Sequence, residues 1–292
     1  MVVEIMSKVE MMSKIIEVKD CFYKYEDGTE ALRGINFSIN QGEKLAFLGA
    51  NGSGKSTMFL CLNGILRPQK GQILFNGAPL NYSRKELLKL RSQVGIVFQE
   101  PDKQLFCSSV YPEISFGVLN LGLDEESTKA IVENVIGELE ITPFMKKPTH
   151  FLSGGQKKQV AIADIVAMNP KLIILDEPAS ALDPKHTEIV RNMINKLGEK
   201  GMTVAVSTHD MNYALEWADR VIVFESGRIL AEGKPEDILS DEELIIKSNL
   251  LQPEVIKLYL KLCNKGILDK NLAIPKTMDN LGRYIENVIF TP

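Results

Sequence analysis

Gly49-Ala50-Asn51-Gly52-Ser53-Gly54-Lys55-Ser56-Thr57 is the stretch that decides how this chain is read. It fits the pattern G-x-x-x-x-G-K-[ST] at every defined position, through Gly49, Gly54, Lys55 and Ser56. The flanks agree with it: residues 44–48 predict a short buried strand, and residues 58–62 an apolar helix after the loop. Glycines at 49, 52 and 54 admit torsions and close approaches that a β-carbon forbids. Consecutive N–H groups can then face phosphate oxygens at the positive end of the following helix. In such a loop Lys55 reaches the β- and γ-phosphates of ATP, and the Ser56 hydroxyl ligates Mg²⁺.

Upstream, Ile15 to Tyr25 and Leu32 to Ile39 predict two strands paired as a hairpin around Glu26-Asp27-Gly28. Tyr25 ends the first, as either an adenine-stacking aromatic or an edge-strand tyrosine. Downstream, residues 72–75 predict a strand and Asn76-Gly77 a turn. Ser83 and Glu86 form a capping-box pattern for a helix to about Arg91. Residues 94–98 predict a buried strand delivering Gln99, which could coordinate Mg²⁺, position water, or be no more than a polar strand end. Helices are expected over 110–120, 125–139 (with Asp124 as N-cap) and 143–147, a helical subdomain inserted between strands. Leu152-Ser-Gly-Gly-Gln156 then opens a helix to about Met168, with Ser153 as N-cap and Gly154 and Gly155 leaving room for a phosphate.

Residues 171–177, Lys-Leu-Ile-Ile-Leu-Asp-Glu, read as a buried strand ending in two acids. There Asp176 would hold Mg²⁺, and Glu177 would orient and polarise the attacking water. Ser180 to Asp183 follow at once, and Pro184 opens a helix. Residues 202–208 form a further buried strand carrying His209 at its end. A lone histidine is usually structural, but this one shares a sheet edge with the acids and reads as a γ-phosphate contact. Residues 221–224 and 228–231 make a hairpin around Ser226-Gly227. Beyond Gly233, helices are expected over 235–239, 241–248 (capping box from Ser240), 253–263 and 277–289. The apolar stripe from Val255 to Cys263 is wide enough to call for a partner surface.

A chain of 292 residues suffices for one large domain or two, and its 34 basic and 38 acidic residues leave a net charge of −4. That balance supplies no electrostatic reason to expect nucleic acid. The four cysteines, Cys21, Cys61, Cys107 and Cys263, are scattered and read as reduced thiols. No apolar run approaches the roughly 18 residues of a membrane span. Residues 1–13 are expected to be a loose tail rather than a signal peptide.

With its motifs in this order, the chain resembles an ABC ATPase subunit over about residues 14–237. By position, Tyr25 matches the adenine-stacking aromatic, Gly49 to Thr57 the Walker A loop, and Gln99 the Q-loop. Ser153, Gly154, Gly155 and Gln156 fall in the signature, Asp176 and Glu177 in Walker B, Ser180 to Asp183 in the D-loop, and His209 at the switch histidine. The resemblance implies an α/β fold: a RecA-like core with an antiparallel β subdomain and a helical insertion at about 100–168. A helical dimerisation extension over 238–292 is expected to follow. Within that family the chain looks most like the ATPases of energy-coupling-factor importers, the cobalt-type group. The features are residues 25–28, residues 98–106, Leu152-Ser-Gly-Gly-Gln-Lys-Lys158, and the tail. Two positions depart from the family pattern, Gln159 for the usual arginine and Asp164 for a small residue.

The resemblance implies ATP and Mg²⁺ as ligands and a head-to-tail pair of ATPase subunits, as a homodimer or a paralogous heterodimer. It further implies a membrane transport subunit docked near residues 100–106, a separate membrane component that binds the cargo, and a place on the cytoplasmic face of the membrane. The cargo would be cobalt or another transition-metal ion, or a vitamin. Two alternatives differ in kind: the ATPase of an ordinary importer or exporter, and a soluble ATPase of DNA maintenance. The second places a long coiled coil between Walker A and the signature, and residues 55–152 carry no sustained heptads.

Overall fold

The computed structural model describes residues 13–290, so the expected N-terminal tail lies, apart from Ser13, outside the described residues. The chain opens with β1 (Lys14–Lys24), β2 (Glu30–Asn40) and β3 (Lys44–Leu48), then passes through the glycine loop into α1 (Lys55–Leu62). β4 (Lys70–Phe75), β5 (Ala78–Pro79), α2 (Arg84–Gln93) and β6 (Val94–Val97) follow. Three helices come next without a strand: α3 (Val110–Leu119), α4 (Glu125–Glu138) and α5 (Gly154–Ala167). The chain then alternates through β7 (Leu172–Asp176), α6 (Pro184–Glu199), β8 (Thr203–Ser207) and α7 (Met211–Trp217) into the hairpin β9 (Arg220–Glu225) and β10 (Arg228–Gly233). It closes on α8 (Pro235–Ser240), α9 (Glu242–Lys247), α10 (Glu254–Asn264) and α11 (Met278–Phe290).

The strands form two sheets, one four-stranded in the order β2-β1-β4-β5 and one six-stranded in the order β10-β9-β3-β8-β7-β6. The smaller is antiparallel. In the larger, β6, β7, β8, β3 and β9 run parallel, and β10 is an antiparallel edge. β3 lies in the middle and is buried on both faces, which is why its sequence is nearly all apolar rather than alternating. Leu45 and Phe47 point into the core between the two sheets, where the Phe47 ring meets Phe37 and Phe59 edge-on. Ala46 and Leu48 point the other way, into the core shared with α3 to α7. Arg220 on β9 clamps the sheets together. It donates to both carboxylate oxygens of the buried Glu43, at 2.7 and 3.1 Å, and to the Ser38 carbonyl on β2. Because β3, β6, β7 and β8 are parallel, the loops that follow them all emerge along one sheet edge.

Several local expectations are corrected. Residues 143–147 form no helix; there is only a 3-10 turn, Thr142–Phe144, because Pro143 supplies the first turn but nothing extends it. Ser83 caps α2 by position, but its side chain makes no capping bond; its N–H instead donates to Asn81 Oδ1 at 2.9 Å. At the start of α9 the capping residue is Asp241, accepting from the Leu244 N–H, while the Ser240 hydroxyl donates to the Asp237 carbonyl.

The apolar stripe of α10 is likewise accounted for within the chain. Val255, Ile256, Tyr259 and Cys263 are buried in the main core, and the Tyr259 hydroxyl donates to the Leu272 carbonyl at 2.7 Å. Of the stripe only Leu258, at 38% exposed, faces outward. Asp164 on α5 finds its space opposite Gly117, where an added Cβ would come within 3.4 Å of its carboxylate. Gln104 Nε2 lies 3.4 Å from that carboxylate, and burial pushes its pKa up to about 7. Gln159 is buried on the same helix.

Candidate nucleotide-binding site

The glycine loop leaves β3 through Gly49, at φ 136, where an added Cβ would lie 2.2 Å from the Phe224 carbonyl oxygen. Gly54 enters α1 at φ 110, and a Cβ there would meet the Ala31 carbonyl at 2.6 Å. Any side chain at either point would push the loop off its neighbours. The β9–β10 turn braces the loop, since the Gly227 N–H donates to the Ser53 carbonyl at 2.9 Å and the Arg33 N–H to the Gly227 carbonyl at 2.8 Å. No side chain caps α1, and its first turn carries no acid. Its free N–H groups therefore suit an anion.

Lys55 is 5% exposed and folds back on the loop, donating to the Gly49 carbonyl at 2.7 Å and the Ala50 carbonyl at 3.0 Å. Burial holds its ammonium below the usual lysine range, against the opposing pull of Glu177 and Asp176. A cavity of about 530 Å³ opens over the loop, lined by Tyr25, Asn51 to Thr57, Gln99 and Glu177. The Tyr25 hydroxyl lies 3.0 Å from Thr57 Oγ1, and the residue is 36% exposed at the rim of the cavity.

Across the cavity stand the acids. Asp176 is buried at the end of β7 and accepts from the Ser207 hydroxyl at 2.6 Å; the Ser207 oxygen in turn accepts from the Glu177 N–H at 2.9 Å. Glu177 turns out of the strand at φ 44. Its two oxygens are held separately, Oε1 at 2.7 Å from His209 Nε2 and Oε2 by the Gln99 amide at 3.1 Å. The structure therefore brings together Tyr25, residues 49–57, Gln99, Asp176, Glu177 and His209. His209 also faces an adjoining cavity of about 490 Å³ beside Ser180.

Ser153, Gly154, Gly155, Gln156 and Asp183 line neither the cavity nor its loop. Ser153 and Gln156 satisfy each other in a reciprocal capping box at the start of α5, and only Gly154 is free of near neighbours. Gly155 also meets a packing constraint. A Cβ there would lie 2.2 Å from the His186 ring, which Asp183 holds through Nδ1 at 2.5 Å. The turn before α6 is thereby locked onto the start of α5.

Sequence reading missed Thr29, Glu30, Ala31 and Arg33, and the Ser226-Gly227 turn, all of which line the cavity. They carry no motif, and only the pairing of the two sheets brings them there. It also missed Ser207 and Lys158. Lys158 is 2% exposed, and burial pushes its pKa down to about 8 despite the nearby Asp176 and Glu177. Its position three after Gly155 and four before Ile162, both buried, places it on the inner stripe of the helix and was the available signal.

Comparison with known proteins agrees with this geometry. The family described as ABC transporter matches residues 32–180. The chain is 47% identical over 251 residues to the energy-coupling factor transporter ATP-binding protein EcfA of Methanocaldococcus jannaschii, covering 86% of this chain and 90% of that one. It is 45% identical to EcfA2 of Clostridium perfringens, over 84% and 86% of the two chains. Among solved structures it superposes on CbiO1 of Clostridium perfringens, part of the ABC transporter complex CbiONQ. The TM-score is 0.73 and the identity 43%, covering 85% of this chain and 99% of that one. A dimeric ATP-binding cassette bound to ADP and Pi matches with TM-score 0.69 and 30% identity, over 75% and 98%. A phosphate loop, two strand-end acids and a signature helix on this scaffold, together with these likenesses, place the chain in the ABC transporter family, among the ATP-hydrolysing subunits of the energy-coupling factor group.

Proposed function

We propose that this ATPase powers import by a complex of the EcfA and CbiO kind, with residues 49–57 holding ATP and Glu177 activating the water that attacks it. The observation that carries this reading is the Glu177 carboxylate, held between His209 and Gln99 across the cavity from Lys55. The donor set fits Mg²⁺, a hard cation that takes oxygens. Ser56 is exposed at the first turn of α1, Asp176 keeps an oxygen beyond its Ser207 bond, and Gln99 offers its amide oxygen. Bound there, Mg²⁺ would neutralise charge on the phosphates. Glu177 draws a proton from water, His209 contacts the γ-phosphate when it is present, and Tyr25 covers the base. Ser153 to Gln156, turned away from this chain's own cavity, are free to close on the ATP of a second subunit, with Ser180 and Asp183 beside the junction. Hydrolysis then removes the contact that favours the closed pair.

The membrane partner, on this reading, docks on the segment after Gln99 from the cytoplasmic side. Among the described residues no helix is long and apolar enough to cross a membrane. Glu100 and Asp102 are exposed and form surface pairs with Lys103 at 2.7 Å and Lys157 at 2.6 Å. Leu105 packs inward, but Phe106 is 65% exposed and stacks edge-on against Phe116, extending the apolar part of the surface onto α3. A basic amphipathic helix matches this mixture. Glu100→Lys with Asp102→Lys is expected to lower recovery of the membrane subunit on co-purification by about tenfold. The ion pairs lost are surface pairs of little energetic weight, so ATP affinity should stay unchanged. Normal assembly and transport in that double variant would put the docking surface elsewhere. The cargo, a transition-metal ion or a vitamin, belongs to the separate binding component.

The extension after Gly233 is proposed to hold two ATPase subunits together between cycles. With the α10 stripe engaged in its own core, the surface left for this contact includes Ile246 at 70% and Leu251 at 78% exposed. Ile246→Glu with Leu251→Glu should weaken the nucleotide-free pair about tenfold in sedimentation. An unmoved monomer–dimer equilibrium would remove this role from the extension.

A further inference from the structure

Glu177 occupies a backbone region that a residue with a β-carbon adopts only when its surroundings impose it, at φ 44. Three groups hold its backbone there, one of them the Ser180 N–H, which donates to the Glu177 carbonyl at 3.1 Å. On one side the Ser207 oxygen accepts the Glu177 N–H at 2.9 Å. On the other, Lys158 Nζ donates to the Glu177 carbonyl at 3.2 Å. The same ammonium donates to the carbonyl of Gln99, so the two residues that meet through their side chains at 3.1 Å are also tied through their backbones.

Lys158 reaches this point from the second turn of α5, and its side chain is 2% exposed. Among the described residues it takes part in no direct ion pair, and its acceptors are backbone carbonyls. A buried ammonium without a paired carboxylate is costly, and a methionine of similar length would fill the space at lower cost. Packing therefore does not account for the charge; what its donors hold does. A water-activating carboxylate must stay within about half an ångström of its productive place, which requires its supporting groups to be fixed in turn.

We propose that Lys158 is a positioning residue for ATP hydrolysis, gathering the Gln99 and Glu177 carbonyls on one ammonium so that both side chains present to the nucleotide as a unit with the signature helix. Neither of its hydrogen bonds reaches the glycine loop, so ATP affinity is expected not to depend on it. Because α5 begins at the Ser153–Gln156 turn, a displacement at that turn is carried along a rigid helix to the Glu177 backbone.

The test compares the parent chain with Lys158→Met, which keeps the volume and removes the donors. Nucleotide affinity is measured by calorimetry, turnover by phosphate release per folded subunit, and stability by thermal unfolding. The expected result is a kcat lower by about tenfold or more, with ATP affinity changed less than about twofold. Unchanged kcat per folded subunit, whatever the melting temperature, overturns the proposal. So does a parallel loss of affinity and kcat, which would mean that the whole site has collapsed. Should the methionine variant fail to fold, Lys158→Leu, which also removes the donors, is judged by the same split between affinity and turnover.

Discussion

Glu177→Gln is expected to bind ATP like the parent and to turn it over about 10²- to 10⁴-fold more slowly, the usual range for removing a positioned acid–base group. The amide keeps the volume and still reaches His209 and Gln99, which hold the carboxylate at 2.7 and 3.1 Å, so the backbone at this strand end has no reason to move. What disappears is the negative charge that polarises water. The Glu177 N–H bond to Ser207 and the carbonyl bonds to Lys158 and the Ser180 N–H survive, because none uses the side chain. ATP should therefore accumulate unhydrolysed, and the ATP-bound pair of subunits with it. Phosphate release and sedimentation with ATP read the two effects separately. Hydrolysis at the parent rate would take the role of base away from Glu177.

Lys55→Ala should weaken ATP binding by about 100-fold, since a charge-assisted contact to two phosphates is among the stronger polar interactions. In the nucleotide-free protein the ammonium is not idle. It binds the Gly49 and Ala50 carbonyls inside its own loop, and on the proposed reading it would exchange these for phosphate oxygens. Its pKa is lowered by burial, so the charged form holds at lower pH and is lost as pH rises, earlier than for an exposed lysine. Phosphate restores the charge. Binding at pH values where that charge is partly lost is therefore expected to take up protons, visible as a buffer-dependent heat, and the alanine variant should lose that uptake. Equal affinity in parent and variant would sink the assignment of Lys55.

The glycine loop, the two acids at the end of β7 and the histidine just past β8 were legible because each sits at or just beyond the end of a strand. A buried strand announces itself as a short apolar run, and the polar residue at its end is the one the sheet edge presents. Gly49 and Gly54 were legible for a related reason, since the contacts at 2.2 and 2.6 Å exclude any other residue. Local pattern was less reliable where it concerned caps and short helices. Ser83 and Ser240 have capping-box spacing, yet neither side chain caps its helix: the Asn81 amide oxygen takes the Ser83 N–H, and Asp241, one residue on, caps α9 through the Leu244 N–H, since short polar side chains offer several such local bonds.

The sequence by itself determined the loop, the strand and helix that flank it and the chemistry of the acids, all carried by residues adjacent in the chain. Tertiary structure alone decided what depends on distant segments meeting. The hairpin turn at Ser226-Gly227 braces the loop, Ser207 grips both acids, and Lys158 reaches from the signature helix to Gln99 and Glu177. The same holds for α10, whose apolar stripe looked from the sequence like a surface awaiting a partner. Hydrophobic periodicity shows that a face must be covered but not by what, and here Val255, Ile256, Tyr259 and Cys263 are covered by the chain's own core.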